Sequence, residues 1–423
     1  MVNNFNILHF SYNDSHGAGN ASYALHENFS NLGILSKMIV LHKTRNDNNV
    51  LEFKESKFRR LFFKILDRIE DAFFFDKRYN FFDRGRYAVK NINSLEKYID
   101  CNPDVIVLSW ISKFICLKTV RELQKKYNSK VYWMFVDMAP MTGGCHFKFE
   151  CTGFEKKCNN CPAVSRPYKG RVAKNFSKKS KYSKEINLNI LYLAPWFKAE
   201  IKKSSLYSEN NMIYTSLSNL IVSDNIFRSL DKKGIRDKYG ISYDRKVILF
   251  SATNIIDERK GFNHFIRSIN KLNFGKSIDV AIIIIGYNNI DLKKINVNIP
   301  IIQFGFISDR KELAEIYNLA DVYVSTVLDD IGPATLVFAM LCRIPVVTFD
   351  VAIAKDLVIH GKNGYVAKNF SPSSITKGVE YIFGLSDFDF KIMGDNSRLS
   401  AISMYSLENN DKEIKSIIKH MIS

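Results

Sequence analysis

No long apolar run occurs anywhere in the 423 residues. One of the longest, Val280 to Ile285, is far short of the roughly 20 residues a membrane-spanning helix needs. Nor does the sequence open with a basic stretch followed by an apolar one: Met1 to Asn6 leads straight into Ile7-Leu8-His9-Phe10, which reads as a strand. The expectation is a cytoplasmic chain. No internal repeat is present, and no helix-turn-helix or RNA-binding signature accompanies the basic residues, so nucleic acid is not an expected partner. What the chain does have is 46% hydrophobic and 25% charged residues, the balance of a globular protein long enough for two full cores. Lysine and arginine number 61 against 43 acids, a net charge of +18, which calls for a negatively charged counterpart such as a membrane surface, a phosphorylated substrate or nucleic acid, the last without a motif to support it.

The stretch from Asp321 to Asp350 carries the clearest pattern. Val322, Val324 and Val327 make a strand, Asp329-Asp330-Ile331-Gly332 breaks it, and Pro333 introduces a short helix from Thr335 to Leu341 before Pro345-Val346-Val347 reopens a strand. A helix start aimed out of a strand-end loop favours an anion through its amides and dipole. Acids beside it suit hydroxyl groups, as on a sugar or ribose, and the plainer alternative is a solvated aspartate pair in an ordinary turn.

The N-terminal half alternates strands and helices in the lengths of a doubly wound parallel sheet. Ile7 to Tyr12 leads into a turn, Ser15 to Asn20, where Gly17 and Gly19 let a ligand approach the backbone before a helix from Ala21 to Leu32. Pro103 to Leu108 is a buried strand ending at Ser109-Trp110, with a helix from Cys116 to Tyr127 and a strand from Lys130 to Val136. Ligands of such sheets sit at the strands' carboxyl ends, where Gly17, Ser109 and Asp137 fall. Lys54 to Tyr87 interleaves basic residues with phenylalanines. It reads as a helical pair with its aromatics in the core, as a segment lying in an anionic membrane interface, or as a surface that stacks on single-stranded bases. Arg166 to Lys184 reads as a lysine-rich connector.

Four of the seven cysteines, Cys145, Cys151, Cys158 and Cys161, fall in one loop, 137–162, beside His146. Cys158 and Cys161 have knuckle spacing, so the four are candidates for a structural zinc; reduced thiols and disulfides are the alternatives. In the C-terminal half, Lys246 to Ser251 is a strand, and Arg259-Lys260-Gly261 at the following helix start can neutralise a diphosphate, or form an exposed basic cap.

Taken together, these residues resemble the GT-B glycosyltransferases of the family-4 type, nearest those that build bacterial surface polysaccharides such as colanic acid, capsule and O-antigen. The resemblance rests on Gly17-Ala18-Gly19, Pro103-Asp104 with Ser109-Trp110, Asp137 to His146 with its cysteine tail, Ala194-Pro195, Asp257-x-Arg259-Lys260-Gly261, Phe304-Gly305-Phe306 and Leu319 to Asp350. It implies an α/β, GT-B architecture: two doubly wound parallel-sheet, Rossmann-like domains facing a central cleft. The domains expected are 1–220 for the acceptor, 221–395 for the nucleotide sugar, and a terminal helix in 396–423 packing back on the first. It implies retaining transfer of a sugar from a nucleotide-diphosphate donor to a polyprenyl-diphosphate-linked glycan, at the inner face of the membrane, with no cofactor required for catalysis.

By position, the resemblance makes Asp330, Lys260 and Asp137 catalytic. Arg259 and Lys260 would hold the diphosphate, Asp330 the sugar hydroxyls, and Gly332, Pro333, Ala334 and Thr335 the phosphates at the helix start. Gly17 and Gly19 would lie near the acceptor and nucleotide. Several positions depart from the family pattern. Val136 and Ser109 stand where histidines are expected, Phe338 where an acid would hold the ribose, and Ala352-Ile353 where a glycine pair is expected. These departures leave room for a catalytically weakened homologue that binds a partner enzyme or glycan.

Overall fold

The computed structural model describes residues 5–207, 210–215, 224–273, 278–287 and 297–423. The chain divides into two compact units, one of residues 1–220 with 410–423 and one of residues 221–409. The predicted boundary region, 219–240, begins outside the described residues, as do residues 1–4 of the predicted strand lead-in.

Unit 1 is built on seven strands: β1 (Asn6–Asn13), β2 (Leu35–His42), β3 (Val50–Glu52), β4 (Val105–Leu108), β5 (Lys130–Phe135), β6 (Asn189–Tyr192) and β7 (Met212–Tyr214). They form one sheet in the order β3-β2-β1-β4-β5-β6-β7, every pair parallel. β4 is buried along its whole length and β5 beyond its first residue, as expected of strands covered on both faces. The helices are α1 (His16–Asn31), α2 (Lys57–Phe73), α3 (Leu117–Tyr127), α4 (Arg166–Ile186) and α5 (Pro195–Lys203). Strand order reverses between β1 and β4, opening a crevice at their carboxyl ends.

Two sequence expectations need correction here. The glycine turn is not a turn: α1 starts at His16, straight after the extended Ser15, so Gly17 and Gly19 lie in its first turn. A side chain at Gly19 would collide with Asn13, whereas Gly17 faces open space. The lysine-rich connector is the 21-residue helix α4. Its inward face, Val172, Asn175, Phe176, Lys179, Ser183 and Ile186, keeps helical spacing but is half polar, which hides the period.

Unit 2 has α6 (Lys232–Lys238), α7 (Phe262–Ile269), α8 (Arg310–Asn318), α9 (Ala334–Leu341), α10 (Ala354–Leu357), α11 (Pro372–Phe383) and α12 (Asp387–Tyr405). Its strands are β8 (Lys246–Asn254), β9 (Val280–Tyr287), β10 (Ile301–Phe304), β11 (Val322–Ser325), β12 (Val346–Phe349) and β13 (Gly364–Ala367). They order as β10-β9-β8-β11-β12-β13, again all parallel, with the reversal between β8 and β11. Alternate residues of β8 feed two cores: Val247 and Leu249 pack with Leu336 and Met340 on one face, and Ile248 and Phe250 with Val347 and Val379 on the other.

The last helix, α13 (Leu407–Ile422), ends in unit 1, where the Lys130 ammonium donates to the Met421 carbonyl (3.2 Å) and the Tyr132 hydroxyl meets His420 Nδ1 (2.8 Å). Residues 396–409, grouped in the sequence reading with this terminal segment, stay with unit 2, because α12 packs along α9.

Candidate functional site

At the strand reversal of unit 2, the loop after β8 and the loop after β11 bring together Arg259, Lys260 and Asp330. Asp257 starts a single 3₁₀ turn, accepting from the Arg259 amide at 3.1 Å. Gly261 ends the turn at φ 70°, where a side chain would collide with the Thr326 carbonyl. The Leu328 amide donates to the Arg259 carbonyl at 2.7 Å, so the two loops are tied by backbone.

On this scaffold Asp330 Oδ2 accepts from Lys260 Nζ at 2.6 Å and from Arg259 Nη1 at 3.0 Å. Arg259 Nη2 donates to Asp257 at 2.7 Å, and the Ile331 amide donates to Asp330 Oδ1 at 2.8 Å. Burial pushes the Asp330 carboxyl upward, but the Lys260 and Arg259 charges overcome it and hold the group well below the usual carboxylate range. Both plainer readings therefore fail. Arg259 is buried rather than an exposed cap, and the aspartates are not solvated, since Asp329 is buried and Asp330 is clamped.

Gly332 and Pro333 lead from this clamp into α9, whose first turn carries Ala334 and Thr335. Proline is the N-cap rather than the first helical residue. The Thr335 hydroxyl accepts from buried Tyr323 at 2.9 Å, fixing the helix start over the end of β11. Amides of a first helical turn have no partner four residues back, so the cations, the acid and the helix start together make a corner whose chemistry suits an anion.

Two departures acquire physical form. Phe338 stacks on Phe227 (centroids 4.0 Å apart, 8° between planes) and meets Tyr317 edge-on, so position 338 belongs to the core and offers no hydrogen bond. Ala352 stands at φ 56°, the left-handed region where glycine carries no side-chain penalty, which accounts for the glycine that the resemblance expects there.

Unit 1 has its own constellation at the ends of β4 and β5. Asp137 Oδ1 accepts from the Ala139 amide at 2.7 Å, and Oδ2 lies 3.0 Å from His146 Nδ1. The Trp110 indole N–H lies 3.2 Å from the same Nδ1. Donating to Asp137 requires a proton on Nδ1 and accepting from Trp110 requires none; the carboxylate's charge favours the first. Nε2 then accepts from the Ser112 hydroxyl at 3.1 Å. An imidazole thus reaches Asp137 and Trp110 from position 146, although Val136 and Ser109 stand where histidines were expected. No sequence expectation assigns His146 a role; its place at the end of the Asp137 motif is the signal that points to it.

The four loop cysteines border one small cavity of about 10 Å³, and all seven cysteines of the chain are free thiols, which removes the disulfide alternative. The Gly153 amide lies 3.4 Å from Cys151 Sγ, and amides of Gly143, Ala163 and Val164 bond the sulfurs of Cys158 and Cys161. Burial raises these thiols, Cys158 to about 12 and Cys161 to about 11. Among the described residues no group of three or more His, Cys, Asp or Glu is drawn together closely enough to hold a metal.

Comparison with solved structures decides the fold. Sucrose-phosphate synthase from Thermosynechococcus elongatus superposes with a TM-score of 0.67 at 12% identity, over 99% of each chain. HepE from Anabaena, crystallised with UDP-glucose, gives 0.64 at 12% over 98% of this chain and 99% of its own. WaaG, a glycosyltransferase involved in lipopolysaccharide biosynthesis, gives 0.63 at 12% over 97% and 99%. The chain has the GT-B fold. Within the GT-B chain, residues 231–391 match the family model described as Glycosyl transferases group 1, a span that includes the Arg259–Lys260–Asp330 clamp and α9. No curated protein matches the sequence.

Proposed function

We propose that this GT-B protein is a retaining, metal-independent glycosyltransferase. It moves a sugar from a nucleotide-diphosphate donor to a growing lipid-linked glycan of a surface polysaccharide, at the cytoplasmic face of the membrane. The observation that carries the reading is the clamp of Arg259 and Lys260 on Asp330 beside the start of α9. An incoming diphosphate offers the two cations a stronger anion than Asp330 and the helix start a second partner. Asp330, released, becomes a free carboxylate that accepts from the donor sugar's hydroxyls. The bond from the sugar's anomeric carbon to the β-phosphate oxygen then breaks with its electrons passing to the phosphate, where Lys260 and Arg259 stabilise the developing charge. The acceptor hydroxyl bonds to the same face of the anomeric carbon and gives its proton to the departing phosphate. The family match over residues 231–391 and the UDP-glucose bound to HepE support such a donor, and the role of WaaG supports a surface-glycan product.

Helix α2 supports work at a membrane. Its inward face carries Asp67 and Glu70, engaged by Arg84, Arg86 and Lys113, while Phe58, Leu61, Phe62, Ile65, Ile69 and Phe73 form an outward stripe, each about half exposed or more. Exposed Lys57, Arg60, Lys64 and Arg68 run beside that stripe. An apolar stripe edged with cations suits an anionic lipid interface. Among the described residues no helix is long and apolar enough to cross a membrane.

A second reading, a weakened homologue that scaffolds assembly, is favoured by Phe338, which removes the expected ribose contact. The two are separated by incubating the full chain with UDP- and GDP-sugars and a short-chain prenyl-diphosphate-linked sugar. Acceptor-dependent release of nucleoside diphosphate, with the donor's anomeric configuration kept in the product, is expected. Donor binding without release supports the scaffold. A structural zinc on the four loop cysteines is proposed from the knuckle spacing of Cys158 and Cys161 in the sequence, with no ligand cluster among the described residues to support it. Stoichiometric zinc in protein purified without chelator is the expected result, and its absence leaves reduced thiols.

A further inference from the structure

A cavity of about 380 Å³ lies wholly within unit 1, above the ends of β4 and β5 and between α3 and α4. Its floor includes Ser109, Ser112 and Asp137, its walls include Trp110, Trp133, Tyr87 and Tyr182, and its rim carries Lys90, Lys118 and Lys178. Its volume is that of a small-ligand pocket.

Three features define what it would take. Ser109 lines the cavity and is 2% exposed, and its hydroxyl has no hydrogen-bond partner among the described residues, a buried polar group that a ligand hydroxyl would satisfy. The aromatic walls offer flat apolar surface to the C–H face of a sugar ring. The charge is one-sided. Both lining acids are already engaged, Asp83 by Lys179 at 2.6 Å and Asp137 by His146, whereas Lys90 and Lys178 have no ion pair among the described residues and Lys118 stands 3.7 Å from Glu122.

We infer that this cavity binds a saccharide phosphate, with the ring between the aromatic walls, a hydroxyl on Ser109 and the phosphate on Lys90 and Lys178. The cavity also adjoins the apolar helix. Arg59 of α2 donates to the Ala88 carbonyl at 2.9 Å and to the Tyr87 carbonyl, and Tyr87 and Lys90 of that segment line the cavity. A phosphate at the rim therefore sits one layer from the surface proposed to meet lipid. Assigning the ligand as the acceptor rests on the proposed transferase reading; its binding here does not.

The test is calorimetric titration of the full chain with the 1-phosphates of glucose, galactose and N-acetylglucosamine, with methyl glucoside and with inorganic phosphate. At least one sugar phosphate is expected to bind about tenfold or more tighter than inorganic phosphate or methyl glucoside, and the Lys90→Ala/Lys178→Ala double variant to lose that advantage. Ser109→Ala is expected to weaken the sugar phosphate severalfold while leaving inorganic phosphate unchanged. A prenyl-diphosphate-linked sugar that binds tighter than its soluble counterpart identifies the lipid-linked source, and equal binding identifies the free one. No binding of any sugar phosphate at millimolar concentration, or equal binding by the double variant, overturns the inference. Titrating UDP and GDP into the same preparations keeps the two readings apart: nucleotide binding without sugar phosphate sinks only this site, and the converse sinks only the transferase reading.

Discussion

Asp330 is the residue on which unit 2's corner turns. With its side chain only 16% exposed and two cations on one oxygen, it is a structural counter-ion as well as a candidate sugar ligand. Asp330→Ala leaves Lys260 without its anion and Arg259 still paired with Asp257, a loss of about 3 kcal/mol in chemical denaturation. The same variant in saturating nucleotide is expected to recover much of that loss, because the diphosphate takes the aspartate's place. A variant as stable as the parent contradicts the clamp. Arg259, Lys260 and Asp330 were legible one by one from their motifs. Their mutual pairing was not, because 70 or so positions separate the cations from the acid and no local spacing encodes a contact made across two strand ends. His146 escaped for the same reason: its partners Ser112 and Trp110 come from a different strand end.

Among the elements, strands were the easiest to read, since β4, β5, β8 and β9 are continuous apolar runs between helices. Helices failed where their inward faces are polar or small. α4 buries Asn175, Lys179 and Ser183, and α12 buries Gly394, Ser397 and Ala401, so neither shows an apolar period. α2 is the reverse case, with acids inward and phenylalanines outward. For α2 we predict a clean separation of stability from membrane binding. Phe62→Glu/Ile65→Glu is expected to leave the thermal midpoint within a few degrees, because both side chains are about half exposed, and to abolish sedimentation with vesicles containing phosphatidylglycerol. Unchanged vesicle binding contradicts the role given to this face. A large drop in the midpoint means that the stripe packs within the protein.

Across the whole molecule, acid should act in two stages. Burial lowers His9, with the His26 charge adding to the effect, and burial lowers His26 against the pull of Asp47. Folded chains therefore hold these imidazoles neutral below pH 6.5 while unfolded chains protonate them, so stability falls as pH drops from about 6.5, by at most about 1.4 kcal/mol per pH unit for each proton taken up. Asp330, Asp83 and Asp321, whose carboxyls are held low by their cations against burial, add a second loss only as pH falls below about 4. Denaturation midpoints between pH 7 and 5 test the first stage, which His26→Gln should shrink. A flat profile over that range contradicts it. At this scale the two parallel sheets with reversed strand order were readable from the alternation of strands and helices, while the return of residues 410–423 to unit 1 rested on resemblance alone.

In the proposed function, unit 2 binds a nucleotide diphosphate on Arg259 and Lys260. Calorimetric titration of UDP and GDP, with their common sugar conjugates, into the full chain and into Lys260→Ala tests it most directly. Micromolar binding of one nucleotide series is expected, with a loss of about tenfold or more in the variant, the worth of one charge-assisted contact to phosphate. Binding that is unchanged in Lys260→Ala, or no binding by the parent chain of any nucleotide tried, contradicts it.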